Sequence, residues 1–102
     1  MTVEATHPRH GVDEHLTAPI RLSIIAALAR VDETDFQSLR DAIEVSDSAL
    51  SKQATVLENA GYLSARKGYV GKRPRTWLSI TPAGRSALAT HLAALRAIVD
   101  NL

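Results

Sequence analysis

Residues 45–63 read Val45-Ser46-Asp47-Ser48-Ala49-Leu50-Ser51-Lys52-Gln53-Ala54-Thr55-Val56-Leu57-Glu58-Asn59-Ala60-Gly61-Tyr62-Leu63. This stretch decides the fold. Ser46 or Asp47 can accept the orphan N–H groups of a first helical turn. Gly61 can take the left-handed conformation that stops a helix. Between them Leu50, Ala54 and Leu57 recur at helical spacing, with Ala49, Val56 and Ala60 beside the stripe. The opposite face carries Ser48, Ser51, Lys52, Thr55 and Asn59, with Gln53 at the border. An ordinary solvated face more often mixes long Glu and Lys side chains. Short hydroxyls beside one Lys and one Gln can instead come close to a groove and hydrogen-bond to phosphates and base edges. A plain amphipathic helix fits the same pattern, so the neighbouring segments decide between the two.

Upstream, Asp35-Phe36-Gln37-Ser38-Leu39-Arg40-Asp41-Ala42-Ile43 predicts a short helix capped by Thr34 or Asp35, with Phe36, Leu39 and Ile43 inward. Glu44-Val45-Ser46 is a tight connector into the longer helix. Two helices joined by so short a turn, the second with a small polar outer face, have the geometry of a helix-turn-helix. Before them, residues 13–30 form a helical block. Asp13 can cap a short leading turn, and Pro19 places the main helix start near Ala18. Leu16, Ile20, Ile24 and Leu28 make one stripe, widened by Ile25 and Ala27. Residues 1–11 are polar and without periodicity, which predicts a mobile tail. Residues 12–102 are then a single domain.

Downstream the period changes to two. Tyr62-Leu63-Ser64-Ala65-Arg66 and Thr76-Trp77-Leu78-Ser79-Ile80 read as strands, with residues 67–75 as the loop of a hairpin. Arg66, Lys67, Lys72, Arg73 and Arg75 put five cations into ten residues without an acid. A cationic run is commonly just a solvated surface. On a hairpin directly after a helix-turn-helix, it is placed to lie along phosphates beside a groove. Thr81 and Pro82 then open a last helix running to about Asn101. Leu88, Leu92, Leu95, Val99 and Leu102 recur at intervals of four, three, four and three, a coiled-coil spacing. The stripe fits packing onto the chain's own core, but a terminal helix this long and this apolar overshoots so small a core, so it predicts a subunit interface, with Leu16 and Ile20 packing against it.

Composition narrows the function. Of 102 residues 45% are hydrophobic and 4% aromatic, so the core is built from Ala, Leu, Ile and Val. There is no cysteine, which removes disulfides and thiolate metal sites. No run has the length of a membrane span and no signal-peptide pattern opens the chain, so a cytoplasmic protein with no membrane partner is expected. The net charge of +1 conceals an asymmetry. Residues 1–47 hold four Arg against nine Asp or Glu, a balance of −5, and residues 48–102 hold eight Lys or Arg against two acids, a balance of +6. Such a split suggests one face for a polyanion. His7, His10 and His15 have no rigid ligand spacing, and His91 stands alone on the last helix, so no metal site is read. No nucleophile with a base, phosphate-binding loop or cofactor motif appears, and no enzyme is expected.

The order of elements resembles that of winged helix-turn-helix transcriptional regulators. The residues that carry the likeness are Pro19-Ile20-Arg21-Leu22-Ser23-Ile24-Ile25, Leu50-Ser51-Lys52-Gln53, Leu57-Glu58-Asn59-Ala60-Gly61-Tyr62-Leu63, Gly71-Lys72-Arg73-Pro74-Arg75-Thr76-Trp77 and Leu78-Ser79-Ile80-Thr81-Pro82-Ala83-Gly84-Arg85. The chain looks like the short MarR/ArsR-type repressors, over roughly residues 14–100. Where that subgroup commonly has Gly-Asn early in the recognition helix, this chain has Ser48-Ala49. The resemblance implies a mainly α fold with a small β-hairpin (α+β), and a long C-terminal dimerisation helix over residues 81–102. It implies a homodimer that reads a palindromic operator in double-stranded DNA. Larger MarR relatives bind phenolic ligands between dimer helices and DNA-binding lobe; no effector is read for this chain. The expected DNA contacts are Ser46, Ser48, Ser51, Lys52, Gln53 and Thr55 on the recognition helix and Arg66, Lys67, Lys72, Arg73 and Arg75 on the wing. The expected dimer contacts are Leu16, Ile20, Leu88, Leu92, Leu95, Val99 and Leu102. The competing reading is a winged-helix module whose basic hairpin binds an acidic protein.

Overall fold

The structure is a computed structural model and describes residues 6–100. Helix α1, Pro19–Leu28, starts at Ala18 with Pro19 in its first turn, where the missing N–H costs nothing. A two-residue strand β1, Thr34–Asp35, leads directly into α2, Phe36–Ala42. The Asp35 carboxylate caps α2, accepting the Ser38 N–H at 3.2 Å. Helix α3, Asp47–Asn59, is capped by Ser46, whose Oγ accepts the Ala49 N–H at 3.1 Å. The turn from α2 to α3 holds Glu44 at φ +58°, a left-handed conformation uncommon for a residue with a Cβ. Gly61 ends α3 at φ +82°. The chain then forms β2, Leu63–Val70, and β3, Arg73–Ile80, before α4, Pro82–Asp100.

The strands form an antiparallel sheet in the order β1-β3-β2. Its base completes the core. Leu63 and Ile80 face one another across β2 and β3, and Leu78 pairs with Thr34 of β1. These strand residues pack with Leu16, Ile24, Ile25 and Leu28 from the first block, Leu39 from α2, and Leu50, Ala54 and Leu57 from α3. The architecture is therefore the α+β one expected, with the Leu50, Ala54 and Leu57 stripe of α3 inward as read.

The junction between α3 and α4 is unusually tight. Thr81 N–H donates to the Tyr62 carbonyl at 3.1 Å, and its Oγ1 donates to the Gly61 carbonyl at 2.6 Å. The same Oγ1 accepts the Gly84 N–H at 3.0 Å and so caps α4. Arg85 donates to the Ala29 carbonyl at 3.0 Å and ties α4 to the end of α1.

Four features differ from the sequence reading. First, the part of the 1–11 tail that is described is not free. Residues 1–5 lie outside the described residues, but Pro8–Gly11 forms a 3-10 turn packed on α4. His7 Nδ1 caps that turn by accepting the Arg9 N–H, and Gly11 lies so close to α4 that a Cβ there would stand 3.1 Å from Ala94 Cβ. Second, the hairpin loop is not nine residues long. Val70 pairs with Arg73, which leaves Gly71 and Lys72 as the turn. Gly71 at φ +62° supplies the positive angle that two-residue hairpin turns need. Third, Thr34 and Asp35, expected only as a helix cap, also form β1; its pairing spans just two residues, too few to give an alternating pattern. Fourth, the expected dimer stripe is divided. Leu16 is fully buried in the chain's own core, and Ile20 and Leu88 pack against it. Leu92, Leu95 and Val99 face outward, and Leu102 lies outside the described residues. A heptad stripe cannot distinguish a helix's inner from its outer seam, and here the first turns of α4 sit on the core while the last turns run past it.

Candidate nucleic-acid interface

Helix α3 presents Ser48, Ser51, Lys52 and Thr55 on its exposed face, with Ser46 exposed at its start. The core stripe fixes that orientation, because Leu50, Ala54 and Leu57 can bury together on only one side. Three hydroxyls are partly committed. Ser46 Oγ is the helix cap and lies 3.3 Å from Ser48 Oγ, and Thr55 Oγ1 donates to the Ser51 carbonyl at 2.9 Å. Gln53 is set apart from this group: it is half-buried and its Oε1 accepts from Arg21 of α1 at 2.9 Å.

The acid at the head of α3 is paired in place. Arg40 donates to Asp47 at 2.6 Å and to Asp41 at 3.0 Å, and these two contacts hold the guanidinium pKa above its ordinary value. A polyanion approaching α3 thus meets an Arg–Asp pair rather than a bare carboxylate. Sequence reading missed Arg40 because its partner lies across the turn, seven residues on.

The wing is β2 and β3 beyond the core. Side chains of directly opposed residues share a face, and faces alternate along each strand. Leu63, Ala65 and Lys67, with Thr76 and Leu78 opposite, border the cleft against Ser51, Thr55 and Glu58 of α3. Tyr69, opposite Pro74, continues this face outward and is 75% exposed. Arg66, Arg73 and Arg75 belong to the other face with Trp77. The five cations expected as one patch are therefore divided: Lys67 toward α3, Lys72 at the turn, and three arginines on the outer face.

Two of those arginines are already engaged. Arg66 donates to Glu33 at 2.8 Å, and its guanidinium stands 5.5 Å from the Trp77 ring centre. Arg75 stands 5.8 Å from the same ring. It also faces Asp35, whose carboxyl is held below its usual range mainly by the Ser38 hydrogen bond, with Arg75 adding to the effect. Arg73 lines a groove with Asp35, Phe36 and Gln37 at the start of α2. Arginine over an indole ring is a favourable packing that stiffens the hairpin. Lys67, Lys72 and Arg73 form no ion pair among the described residues. Tyr69, expected in the hairpin loop, is a strand residue, and alternation counted outward from Leu63 places it on the α3 side.

On α4 the outward Leu92, Leu95 and Val99 are 49%, 37% and 64% exposed, and they line a shallow groove with Ala89, Ala93, Arg96 and Asp100. No helix among the described residues is long and apolar enough to cross a membrane.

Comparison with known proteins gives a consistent picture. The winged helix DNA-binding domain family matches residues 20–99. The transcriptional regulator homologue of Pyrococcus horikoshii OT3 is 27% identical and superposes with a TM-score of 0.80, over 87% of this chain and 88% of that one. AbsC, a MarR family transcriptional regulator of Streptomyces coelicolor, shares the fold at a TM-score of 0.67 and 23% identity, over 93% of this chain and 71% of its own. An uncharacterized protein of Methanocaldococcus jannaschii is 24% identical over 83 residues, 81% of this chain and 90% of its own.

Proposed function

The chain belongs to the winged helix DNA-binding domain family, and on that premise we propose that it is a sequence-specific regulator, acting as a homodimeric repressor on a palindromic operator. The observation that carries the reading is the exposed, acid-poor face of α3 flanked by a cationic wing. In this reading Ser48, Ser51, Lys52 and Thr55 enter the major groove, where Lys52 donates to guanine and the hydroxyls bond to bases or phosphates. Ser46 sits at the helix N-terminus, where exposed N–H groups and the helix dipole favour a phosphate. Lys67, Lys72 and Arg73 follow the phosphates beside the groove. Arg66 and Arg75 take part mainly by holding the wing in shape through Trp77.

One such domain makes few base contacts. A two-fold pair doubles them and reads half-sites one helical turn apart. Leu92, Leu95 and Val99 of α4 are the surface proposed for this pairing, since burying the part of each that is still exposed is worth on the order of 1 kcal/mol. Leu16, Ile20 and Leu88 support that helix from within.

The experiment is selection of bound duplexes from genomic DNA, followed by titration of selected and random duplexes against salt. Regulator function predicts enrichment of an inverted repeat and affinity that falls steeply with salt. Equal, weak retention of all sequences would favour instead the basic hairpin as a dock for an acidic protein.

A further inference from the structure

Gln53 turns toward α1 and not toward the exposed face of α3, and the reason is Arg21. The Arg21 guanidinium donates to three acceptors: Gln53 Oε1 at 2.9 Å, the His15 carbonyl at 2.7 Å and the Glu14 carbonyl at 3.4 Å. Guanidinium has only donors in a rigid planar fork, so it fixes the Gln53 amide with its oxygen inward. The two carbonyls belong to the segment ahead of α1, and that segment is itself anchored. The Asp13 N–H donates to Nδ1 of His91, buried in α4, at 3.0 Å, and the Asp13 carboxylate accepts from the Tyr62 hydroxyl. Arg21 thus links α3 to a segment held on α4.

The link matters because a reading helix is sensitive to roll. Side-chain tips lie about 5–6 Å from the helix axis. A roll of roughly 10° then displaces them by about 1 Å, more than the roughly 0.5 Å that a binding geometry tolerates. The core stripe of α3, Leu50, Ala54 and Leu57, fixes which side faces inward, but non-directional apolar packing sets the last degrees of roll less sharply than a hydrogen bond does. The Arg21–Gln53 bond is a directional contact from α1 to α3.

We propose that Arg21 is a positioning residue for DNA reading. It sets the roll of α3 through Gln53, and Gln53 serves recognition through Arg21 without touching a base. The inference rests on the DNA-binding reading above.

The test is a double-mutant cycle of Arg21→Ala and Gln53→Ala, read as the ratio of affinity for the selected site to that for random duplex. Each single change is expected to lower the ratio about tenfold, across all positions of the site. The double variant is expected to be no worse than the poorer single one, because both remove one link. Binding to random duplex and its salt slope stay unchanged, since no phosphate contact is lost. Gln53→Glu keeps an acceptor for Arg21 and retains the wild-type base preferences. A role limited to stability would lower the melting temperature and leave the ratio of the folded protein intact, and that result overturns the proposal. So do additive losses, or a Gln53→Ala change that relaxes one base position alone, which would make Gln53 a base reader. A wild-type chain that selects no sequence overturns the regulator reading itself and this inference with it.

Discussion

Gly84 of α4 lies against the backbone of Tyr62 so closely that a Cβ at Gly84 would stand 2.3 Å from the Tyr62 carbonyl oxygen and 2.8 Å from Ile80 Cγ1. The same carbonyl accepts the Thr81 N–H. The Gly61-Tyr62 and Thr81-Pro82-Ala83-Gly84 segments are thus two halves of one joint. In an exposed helix, Gly→Ala is stabilising by roughly 0.5–1 kcal/mol. Here the sign reverses. Gly84→Ala should destabilise by about 1–3 kcal/mol, as overpacking does, and lower the melting temperature by at least about 5 °C. Thermal unfolding followed by circular dichroism checks this; an unchanged or raised midpoint would show that the joint can open without cost.

The Tyr62 hydroxyl donates to Asp13, and this bond, with burial adding to it, raises the tyrosine pKa from 10.0 to about 12. A group whose folded pKa is raised stabilises fully below its unfolded pKa and ceases to do so as pH climbs through the folded one. Stability is therefore expected to fall between about pH 10 and pH 12 in the wild type, and Tyr62→Phe should remove that part of the decline. The variant should also be less stable at neutral pH, by about 1–2 kcal/mol. Urea unfolding of both proteins across this pH range is the measurement.

The Asp13 carboxyl behaves in the opposite sense. Burial works to raise its pKa, but the Tyr62 hydrogen bond and the contacts with His15 outweigh that and hold it below 3.8. Its contribution is present above the unfolded value and is lost as pH falls through the lowered one. Asp13→Asn should therefore weaken the protein at pH 7 and flatten its loss of stability below about pH 4. A parallel acid profile in wild type and variant would contradict the role given to this carboxylate.

The wing divides its cations by task. Lys72→Ala with Arg73→Ala should weaken binding to every duplex and reduce the salt slope by about one per lost phosphate contact in each subunit. Arg66→Ala, which removes an ion pair with Glu33, should change the slope much less. Fluorescence anisotropy from low to moderate salt separates the two. Equal slope changes would mean that Arg66 leaves Glu33 for a phosphate.

On the proposed dimer, the divided α4 stripe separates folding from assembly. Leu92→Glu with Leu95→Glu should give folded monomers by light scattering, because charge would be buried unpaired in the interface. Leu16→Ala should instead cost about 2–5 kcal/mol of stability while association per folded molecule is kept. A double variant that remains dimeric would move the interface off the outward face of α4.

Much of this architecture is legible in the sequence where a segment has one periodicity and marked ends. Ser46, Gly61, Pro19 and Thr81 each sit at the boundary their chemistry predicts. Legibility fails where a partner across space decides. β1 is only Thr34–Asp35 and exists because β3 passes beside it. The strands extend through Gly68 and Pro74, which read as loop, because beyond β1 the far edge of β3 is open and a proline there interrupts no ladder. Gln53 reads as a base contact in sequence, and nothing in its spacing reveals that Arg21, 32 residues earlier, holds its oxygen. Leu88 and Leu92 belong to one apolar stripe, yet the first packs against the core and the second is half exposed, since periodicity does not say which turns of a helix meet the core.

The measurement that bears most directly on the central claim is selection from genomic DNA, followed by affinity for the enriched duplex at fixed salt with wild type and Lys52→Ala. The expected result is an inverted repeat with half-site centres about 34–36 Å apart. Binding should be at least about 10³-fold tighter than to random duplex, with loss of preference at one base pair per half-site on removal of Lys52. Enrichment of no sequence, or a Lys52→Ala profile identical to wild type, would contradict it.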